Sequence, residues 1–236
     1  MRWETLASAD ALAQRAAGLL LGAIRSDPRI VLGLPTGRTP IGMYERVVRE
    51  CSREYHCFTG VTTFNLDEYA GVPREHPASY WTYMRTHLFD HVDVDPRNAH
   101  IPDGTADDLD AECARYERDI AAAGGLGLTF LGLGRNGHIG FNEPGSPFDA
   151  RTRVVELTQS TRHANADLFP DGHVPSHAIT MGIGTILESR AIVLLAAGAG
   201  KEEAIARLRA GTVGEDFPAS ALWMHPAVQV LVSVSS

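Results

Sequence analysis

The chain has 236 residues, of which 44% are hydrophobic and 21% are charged, and its formal net charge is −8. This composition predicts a globular protein with a sizeable buried core. The negative charge and the absence of any Lys/Arg block argue against a nucleic-acid partner. No stretch has the pattern of a signal peptide or a membrane span, so we expect no membrane partner and a cytoplasmic location.

Apolar or β-branched runs alternate with helix-like segments along the chain. In chain order the predicted elements are helix Ala9–Arg25, strand Ile30–Leu34, helix Ile41–Glu50, strand Val61–Leu66, helix Asp107–Ala122, strand Leu128–Leu133, strand Ala191–Ala197, helix Lys201–Arg209 and strand Val228–Val234. Near-continuous apolar strands separated by helices are typical of a doubly wound, mostly parallel sheet with helices on both faces, a Rossmann-like α/β fold. Without an internal repeat or a linker, one domain over residues 1–236 is the simplest division.

The three cysteines are Cys51, Cys57 and Cys113. Their spacing matches no zinc site and no redox motif. Their number is odd and we expect a cytoplasmic protein, so the sequence predicts reduced structural thiols.

Glycines and polar residues follow four of the predicted strands. The four segments are PTGRTP from Pro35, DEY from Asp67, RNGHIGFNE from Arg135, and GAGK ending at Lys201. In an open α/β sheet, ligands bind beyond the carboxyl ends of the strands. A site at this edge of the sheet is therefore predicted.

The segment from Thr36 to Thr39 is a candidate phosphate loop. Gly37 leaves backbone N–H groups accessible, the two threonine hydroxyls can donate, and the next helix offers its positive end. Arg38 adds a forked cation. The alternative is an ordinary turn in which Thr39 caps the helix. Lys201, the single lysine beside 20 arginines, is a second candidate for anion binding, unless it only begins a helix.

Asp67, Glu68 and His138 are candidates for proton transfer. A carboxylate at a strand end often caps a turn, but a histidine loop on the neighbouring edge favours a general base at Asp67 or Glu68. Glu143, five residues after His138, could orient the imidazole ring and favour its protonated form. No spacing of His, Cys or acidic residues indicates a metal site. The glycines from Gly132 do not open a helix, so they do not indicate nucleotide binding.

Several longer motifs are similar to the glucosamine-6-phosphate deaminase family. They include GLPTGRTPIGMYE, FNLDEYAGVPREHPASYWTYM and LGLGRNGHIGFNEPGSP, and the similarity extends from about residue 8 to residue 232. The resemblance implies an enzyme that opens the ring of an amino-sugar phosphate, isomerises the aldose toward a ketose and releases ammonia. It also implies that no metal and no organic cofactor takes part, and that a small phosphosugar is the substrate.

The resemblance also assigns roles to individual residues. It implies that Asp67 moves a proton from C2 toward C1 and that His138 is the acid–base group for ring opening. The residues beside His138 are then Asn136 and Glu143, and the phosphate cradle consists of Thr36, Gly37, Arg38, Thr39 and Lys201.

Two positions depart from the pattern of the family. Asn136 stands where many members have aspartate, so His138 should be less strongly biased to the imidazolium. Asp167 stands where an arginine usually helps to bind phosphate, and we expect Arg38 to replace that cation, with Asp167 pointing away or pairing with Arg38.

Several alternatives remain open from the sequence. A galactosamine-6-phosphate deaminase differs only in the configuration of one hydroxyl. A phosphosugar-binding regulator and a 6-phosphogluconolactonase-like hydrolase are more distant alternatives. The sequence leaves open a monomer and a homo-oligomer.

Overall fold

A computed structural model describes residues 1–53, 57–169 and 172–233 of the chain. The strands in this part of the chain are β1 (Arg2–Leu6), β2 (Val31–Leu34), β3 (Thr62–Asn65), β4 (Asp67–Tyr69), β5 (Ala99–His100), β6 (Leu128–Gly132), β7 (Arg153–Glu156), β8 (His177–Thr180), β9 (Ala191–Ala196) and β10 (Val228–Ser233). The helices are α1 (Ala9–Ser26), α2 (Ile41–Cys51), α3 (Tyr80–His87), α4 (Leu109–Ala122), α5 (Gln159–Ala164), α6 (Ile183–Leu187) and α7 (Glu202–Ala210). Short 3-10 helices lie at Phe89–His91, Pro96–Asn98, Ala166–Leu168 and Pro218–Met224.

Seven parallel strands form the main sheet, in the order β1-β10-β9-β6-β2-β3-β5. From the centre, the chain builds β2, β3 and β5 toward one side and β6, β9 and β10 toward the other. Between β2 and β6 the direction of winding reverses, and such switch points place a ligand crevice at the carboxyl ends of the strands. The predicted fold class is confirmed.

Side chains of the central strands alternate between two apolar clusters on opposite faces of the sheet. Leu32 and Phe130 pack with residues of α1 and α2, whereas Val31 and Leu131 pack with residues of α4, α6 and α7. Because both faces are covered by helices, the strands are apolar at successive positions rather than at alternate ones.

A second, antiparallel sheet of three strands has the order β4-β8-β7. Leu66 alone separates β4 from β3, so the chain passes from the main sheet to the small one at the carboxyl edge. The sequence interpretation missed this sheet, because its strands have only three or four residues.

The predicted elements agree with the observed ones to within a residue or two. Helix α4 begins at Leu109 rather than Asp107, because the carboxylate of Asp108 caps it by accepting from the backbone N–H of Ala111. Strand β10 is described to Ser233, and the predicted end at Val234 lies outside the described residues. Strand β1, at the edge of the sheet, was not predicted.

The prediction of three reduced cysteines is wrong for two of them. A disulfide joins Cys51, the last residue of α2, to Cys57 six positions later. The two Cα atoms lie 5.5 Å apart, within the range that a disulfide spans. Cys113 is a free, buried thiol.

Candidate active site

The four predicted segments emerge from neighbouring strands. The order β9-β6-β2-β3 within the sheet places the ends of these strands side by side. The candidate residues of the four segments therefore share one edge of the molecule.

Asp67, the first residue of β4, is buried with only 6% of its surface exposed. Its Oδ1 atom is buried and has no hydrogen-bond partner within the described residues. Burial, and then the charge of Glu68, raise the pKa of Asp67 to about 8. A carboxyl group whose environment does not satisfy its charge holds a proton strongly, and this property suits a general base.

Glu68 has a different role from its neighbour. Its carboxylate accepts the backbone N–H groups of Tyr69, Tyr80 and Trp81 at 2.8, 3.0 and 3.1 Å. Burial raises the pKa of Glu68 to about 7, and these hydrogen bonds act in the opposite direction. The structure therefore favours helix capping at the start of α3 for Glu68 and leaves Asp67 as the candidate base.

Asn136 makes the hydrogen bond to the ring of His138. The Nδ1 atom of His138 lies 2.8 Å from Oδ1 of Asn136 and 3.8 Å from Oε1 of Glu143. The amide of Asn136 donates to Oε2 of Glu143 at 2.6 Å. An amide oxygen can only accept, so Nδ1 carries the proton and Nε2 has a free lone pair in the neutral ring. Asn136 thus orients the ring directly, and Glu143 orients Asn136.

Burial lowers the pKa of His138, with Glu143 acting in the opposite direction and Lys201 in the same direction as burial. The neutral imidazole is therefore favoured near neutral pH. This direction agrees with the weaker imidazolium bias expected from Asn136.

Glycines bring the loop that carries His138 against Asp67. A Cβ atom on Gly140, whose φ is +57°, would lie 3.0 Å from Oγ1 of Thr180 and 3.5 Å from Oδ2 of Asp67. The hydroxyl of Thr180 accepts the backbone N–H of Phe141 at 3.1 Å. The backbone of the histidine loop therefore packs directly on the strands β4 and β8, which hold Asp67 and Thr180.

Two tyrosine hydroxyls hold the candidate phosphate loop by its carbonyl groups. Tyr44 of α2 donates to the carbonyl of Pro35, and Tyr83 of α3 donates to the carbonyl of Gly37, both at 2.6 Å. In each peptide unit the C=O and N–H point in opposite directions, so the N–H groups that follow these carbonyls point away from the tyrosines. Those N–H groups belong to Thr36 and Arg38.

The interpretation of Thr39 as a helix cap is wrong. Helix α2 has Pro40 at its N-cap position, and no side chain there makes a capping hydrogen bond. The structure thus leaves the Thr39 hydroxyl without the capping role that competed with phosphate binding.

We expect Tyr83→Phe to raise the KM for a phosphosugar substrate about two- to tenfold with little change in kcat. The variant loses one hydrogen bond that orients the loop, and such a bond contributes about 0.5–1.5 kcal/mol. Steady-state kinetics would measure the effect. Tyr116→Phe is the matched control, because that hydroxyl donates to the carbonyls of Asn65 and His100 and not to the loop. An unchanged KM in Tyr83→Phe would contradict the prediction.

Lys201 lies directly before α7 and reaches across the edge of the sheet. Its Nζ atom donates to the carbonyl of Leu133, after the end of β6, at 2.5 Å. Burial, and then the charge of Arg135, lower the pKa of Lys201. The ammonium group is therefore fixed beside the histidine loop.

Arg38 and Asp167 form a long ion pair between the candidate phosphate loop and the 3-10 helix at Ala166–Leu168. Nη2 of Arg38 lies 3.9 Å from Oδ2 of Asp167, and the two side chains are 87% and 89% exposed. Exposed pairs of this kind contribute little to stability. The pairing is one of the two arrangements of Asp167 that we expected from the sequence, and binding of phosphate by Arg38 stays a prediction.

Arg38→Ala is expected to raise the KM about ten- to a hundredfold with a smaller effect on kcat, because a charge-assisted contact contributes about 1.5–3 kcal/mol. Asp167→Asn should lower the KM, because Asp167 competes with the phosphate for Arg38. In the Arg38→Ala background, Asp167→Asn should change the KM much less. Steady-state kinetics of the two single variants and the double variant provide the measurement, and a KM unchanged by Arg38→Ala would contradict the proposed role.

Residues that sequence reasoning missed include Tyr44, Tyr83 and Arg135. The two tyrosines lie on helices, where nothing in the sequence shows which loop they reach. Arg135 does stand directly before Asn136 in the strand-end segment, and this position was a usable signal. Within the described residues, no group of three or more His, Cys, Asp or Glu side chains could hold a metal ion. No helix in this part of the chain has the length and apolar character needed to cross a membrane.

The fold and the site together define an α/β enzyme with a buried carboxylate, a histidine loop and a candidate phosphate loop at one edge of a parallel sheet. Residues 4–232 match the model of the family described as glucosamine-6-phosphate isomerases/6-phosphogluconolactonase, and the chain belongs to this family. The resemblance drawn from the sequence motifs is confirmed.

Curated relatives resemble the chain over nearly its whole length. A glucosamine-6-phosphate deaminase of Lysinibacillus sphaericus is 50% identical over 232 residues, 98% of either chain. Glucosamine-6-phosphate deaminase 1 of Bacillus subtilis is 50% identical over 222 residues, 94% of this chain and 92% of the relative.

Solved structures have the same fold. The structure of a monomeric glucosamine-6-phosphate deaminase has a TM-score of 0.97 and 47% sequence identity, with coverage of 99% of this chain and 98% of the other. A 6-phosphogluconolactonase of Thermotoga maritima has a TM-score of 0.77 at 18% identity, covering 100% of this chain and 99% of the other. At that identity the likeness shows the fold alone.

Proposed function

We propose that the protein converts glucosamine 6-phosphate to fructose 6-phosphate and ammonia. Relatives with about half of their residues identical over nearly the whole chain are glucosamine-6-phosphate deaminases. The structural observation that carries the proposal is the packing of the His138 loop, through Gly140, against the buried carboxylate of Asp67. An acid–base pair at the edge where sugar phosphates would bind suits a reaction that consists of proton transfers.

In this proposal, His138 opens the sugar ring. Its Nε2 lone pair takes the proton of the C1 hydroxyl, and the imidazolium returns a proton to the ring oxygen as the bond between C1 and that oxygen breaks. The hydrogen bond between Nδ1 and Asn136 stabilises the transient positive charge and keeps the ring in place. The product of this step is the open amino-aldose.

Asp67 then moves a proton from C2 to C1. The carbon at C2 loses its proton to the carboxylate, C1 receives it, and the amine at C2 gives up a proton as the C1 carbonyl becomes a hydroxyl. The result is a ketose imine, which water hydrolyses to the ketose and ammonia. Each proton lost in the isomerisation is returned to the same molecule, so the step needs no oxidant or reductant.

The environment of Asp67 links its ionisation to the substrate. Burial raises the pKa of Asp67 to about 8, so much of the carboxyl is protonated at neutral pH before binding. A substrate with a protonated amine at C2 brings a positive charge next to the carboxyl, which favours its ionised form. The base is therefore generated where the substrate amine is present.

Ammonia release with the two epimeric amino-sugar phosphates tests the proposal. We expect ammonia from both or from glucosamine 6-phosphate alone, with a larger kcat/KM for glucosamine 6-phosphate. A larger kcat/KM for galactosamine 6-phosphate would instead assign the protein to the galactosamine deaminases. Thermal stabilisation by sugar phosphates without ammonia release would indicate a binding regulator, and hydrolysis of 6-phosphogluconolactone alone would indicate a lactonase.

Other properties remain predictions. We propose a monomer, because the solved relative at 47% identity is described as monomeric, and light scattering in solution would test this. The single domain over residues 1–236 and the cytoplasmic location stay predictions from the sequence.

A further inference from the structure

The side chains of Arg135 and Lys201 bring two positive charges close together. A Cβ atom on Gly200, the residue before Lys201, would lie 3.1 Å from Nε of Arg135 and 3.5 Å from its Nη2. The guanidinium of Arg135 therefore lies over the loop that ends at Lys201. Within the described residues, neither side chain has a carboxylate within ion-pair distance.

Two neighbouring cations without a counter-charge repel each other. Burial lowers the pKa of Lys201, and the charge of Arg135 acts in the same direction. An anion placed between the two groups would remove the repulsion and gain two charge-assisted contacts. Many other arginines of the chain, including Arg85, Arg115 and Arg151, already pair with carboxylates.

The order of the strands places Arg135 next to the position that a bound phosphate would occupy. Strand β6 lies between β9 and β2 in the sheet. Arg135 follows β6, Lys201 follows β9, and the candidate phosphate loop follows β2. An anion that contacts both Lys201 and the loop at Thr36 must lie over the end of β6, where Arg135 emerges.

We propose that Arg135 is a phosphate-binding residue that holds the phosphate of the substrate together with Lys201. This inference rests on the proposed function for the identity of the ligand, a sugar 6-phosphate. It differs from the prediction for Arg38, because Arg38 already has Asp167 as a partner at 3.9 Å, whereas Arg135 has no carboxylate partner among the residues that the structure describes. A forked guanidinium and an ammonium group then share the charge of one phosphate.

The experiment compares Arg135→Gln with the wild-type protein and with Arg118→Gln. Arg118 is an exposed arginine of α4, and its replacement makes the same change of net charge away from the strand ends. Isothermal calorimetry measures the Kd for inorganic phosphate and for fructose 6-phosphate at constant ionic strength. Steady-state kinetics measures kcat and KM for glucosamine 6-phosphate.

We expect Arg135→Gln to raise both Kd values and the KM about tenfold or more, with kcat changed less than about threefold, and Arg118→Gln to change none of them. Arg135→Lys should give an intermediate result, because it keeps the charge and loses the fork. Equal phosphate affinity in Arg135→Gln and wild type would overturn the inference. A loss confined to kcat would also overturn it, since this pattern would indicate displacement of the neighbouring Asn136.

Failure of the proposed function is distinguishable from failure of this inference. If the wild-type protein releases no ammonia from either amino sugar, the proposed function is wrong. The affinity for inorganic phosphate then still reports on Arg135, because its measurement requires no turnover.

Discussion

Asp67→Asn is expected to lower kcat for ammonia release at least about a hundredfold, because positioned general bases typically contribute 10²–10⁴-fold. Asparagine has nearly the same shape as aspartate and cannot accept the proton from C2. The Kd for fructose 6-phosphate should change little, since no phosphate-binding group is altered. Retention of more than about a tenth of the wild-type kcat would remove Asp67 from the mechanism.

The melting temperature of Asp67→Asn shows whether a loss of activity comes from the missing base or from unfolding of the protein. Burial raises the pKa of Asp67 from its ordinary value of 3.8 to about 8, so the folded protein holds this proton more tightly than the unfolded chain. The protonated carboxyl group of Asp67 therefore contributes to the free energy of unfolding. This contribution is fully present below about pH 4 and is lost as the pH rises through about 8. Asparagine has no charge to lose, so at pH 8.5 the variant should unfold at a higher temperature than the wild-type protein.

Glu68→Gln is the matched control for Asp67→Asn. It removes the neighbouring carboxylate, which bonds the backbone N–H groups at Tyr69, Tyr80 and Trp81. We expect it to lower the melting temperature and to keep more than about a tenth of kcat, because no proton of the reaction passes through it. A loss of kcat equal to that of Asp67→Asn would show that the two carboxyl groups act as one unit.

Five of the seven strands of the main sheet, β2, β3, β6, β9 and β10, could be predicted because they lie in apolar or β-branched runs that helices cover on both faces. Runs such as Leu128–Leu133 and Ala191–Ala197 are short, largely apolar and followed by glycine-rich segments, which favours a covered parallel strand over a helix. The small sheet could not be predicted in this way. Strands β7 and β8 have four residues each. Strand β8 pairs with β7 on one side and with β4 on the other, across long stretches of chain, so the stability of the small sheet depends on partners that the local sequence does not reveal.

The sequence predicted which residues belong to the candidate site, but it did not predict which of these residues contact one another. The strand ends located Asp67, His138 and Lys201, because parallel strands collect their carboxyl ends at one edge. Distances between side chains were beyond the sequence. Asn136 rather than Glu143 bonds the ring of His138, and this arrangement depends on how the glycine-rich loop turns back on itself.

The disulfide between Cys51 and Cys57 is a second feature that the sequence interpretation could not predict. The expected cytoplasmic location and the odd number of cysteines led to the prediction of free thiols. The pair forms where α2 ends, and a geometric fact of this kind, two Cα atoms at 5.5 Å, cannot be obtained from counting cysteines.

His138→Gln is expected to lower kcat about a hundredfold or more with the cyclic substrate, and less than about tenfold with an analogue lacking the hydroxyl groups that close the ring. The difference arises because His138 is assigned to ring opening and Asp67 to the proton at C2. Burial lowers the pKa of His138, so near neutral pH the wild-type imidazole is ready to accept a proton at Nε2, whereas glutamine cannot exchange one.

The measurement is ammonia release from both substrates by the wild-type protein, His138→Gln and Asp67→Asn. Asp67→Asn serves as the control, because loss of the base should impair both substrates to a similar extent. The Kd for fructose 6-phosphate shows that the site of each variant still binds a phosphosugar. Equal losses on the cyclic substrate and on the open analogue in His138→Gln would contradict the division of labour. They would place His138 in the proton transfer between C2 and C1, next to Asp67, to which Gly140 already brings its loop within packing distance.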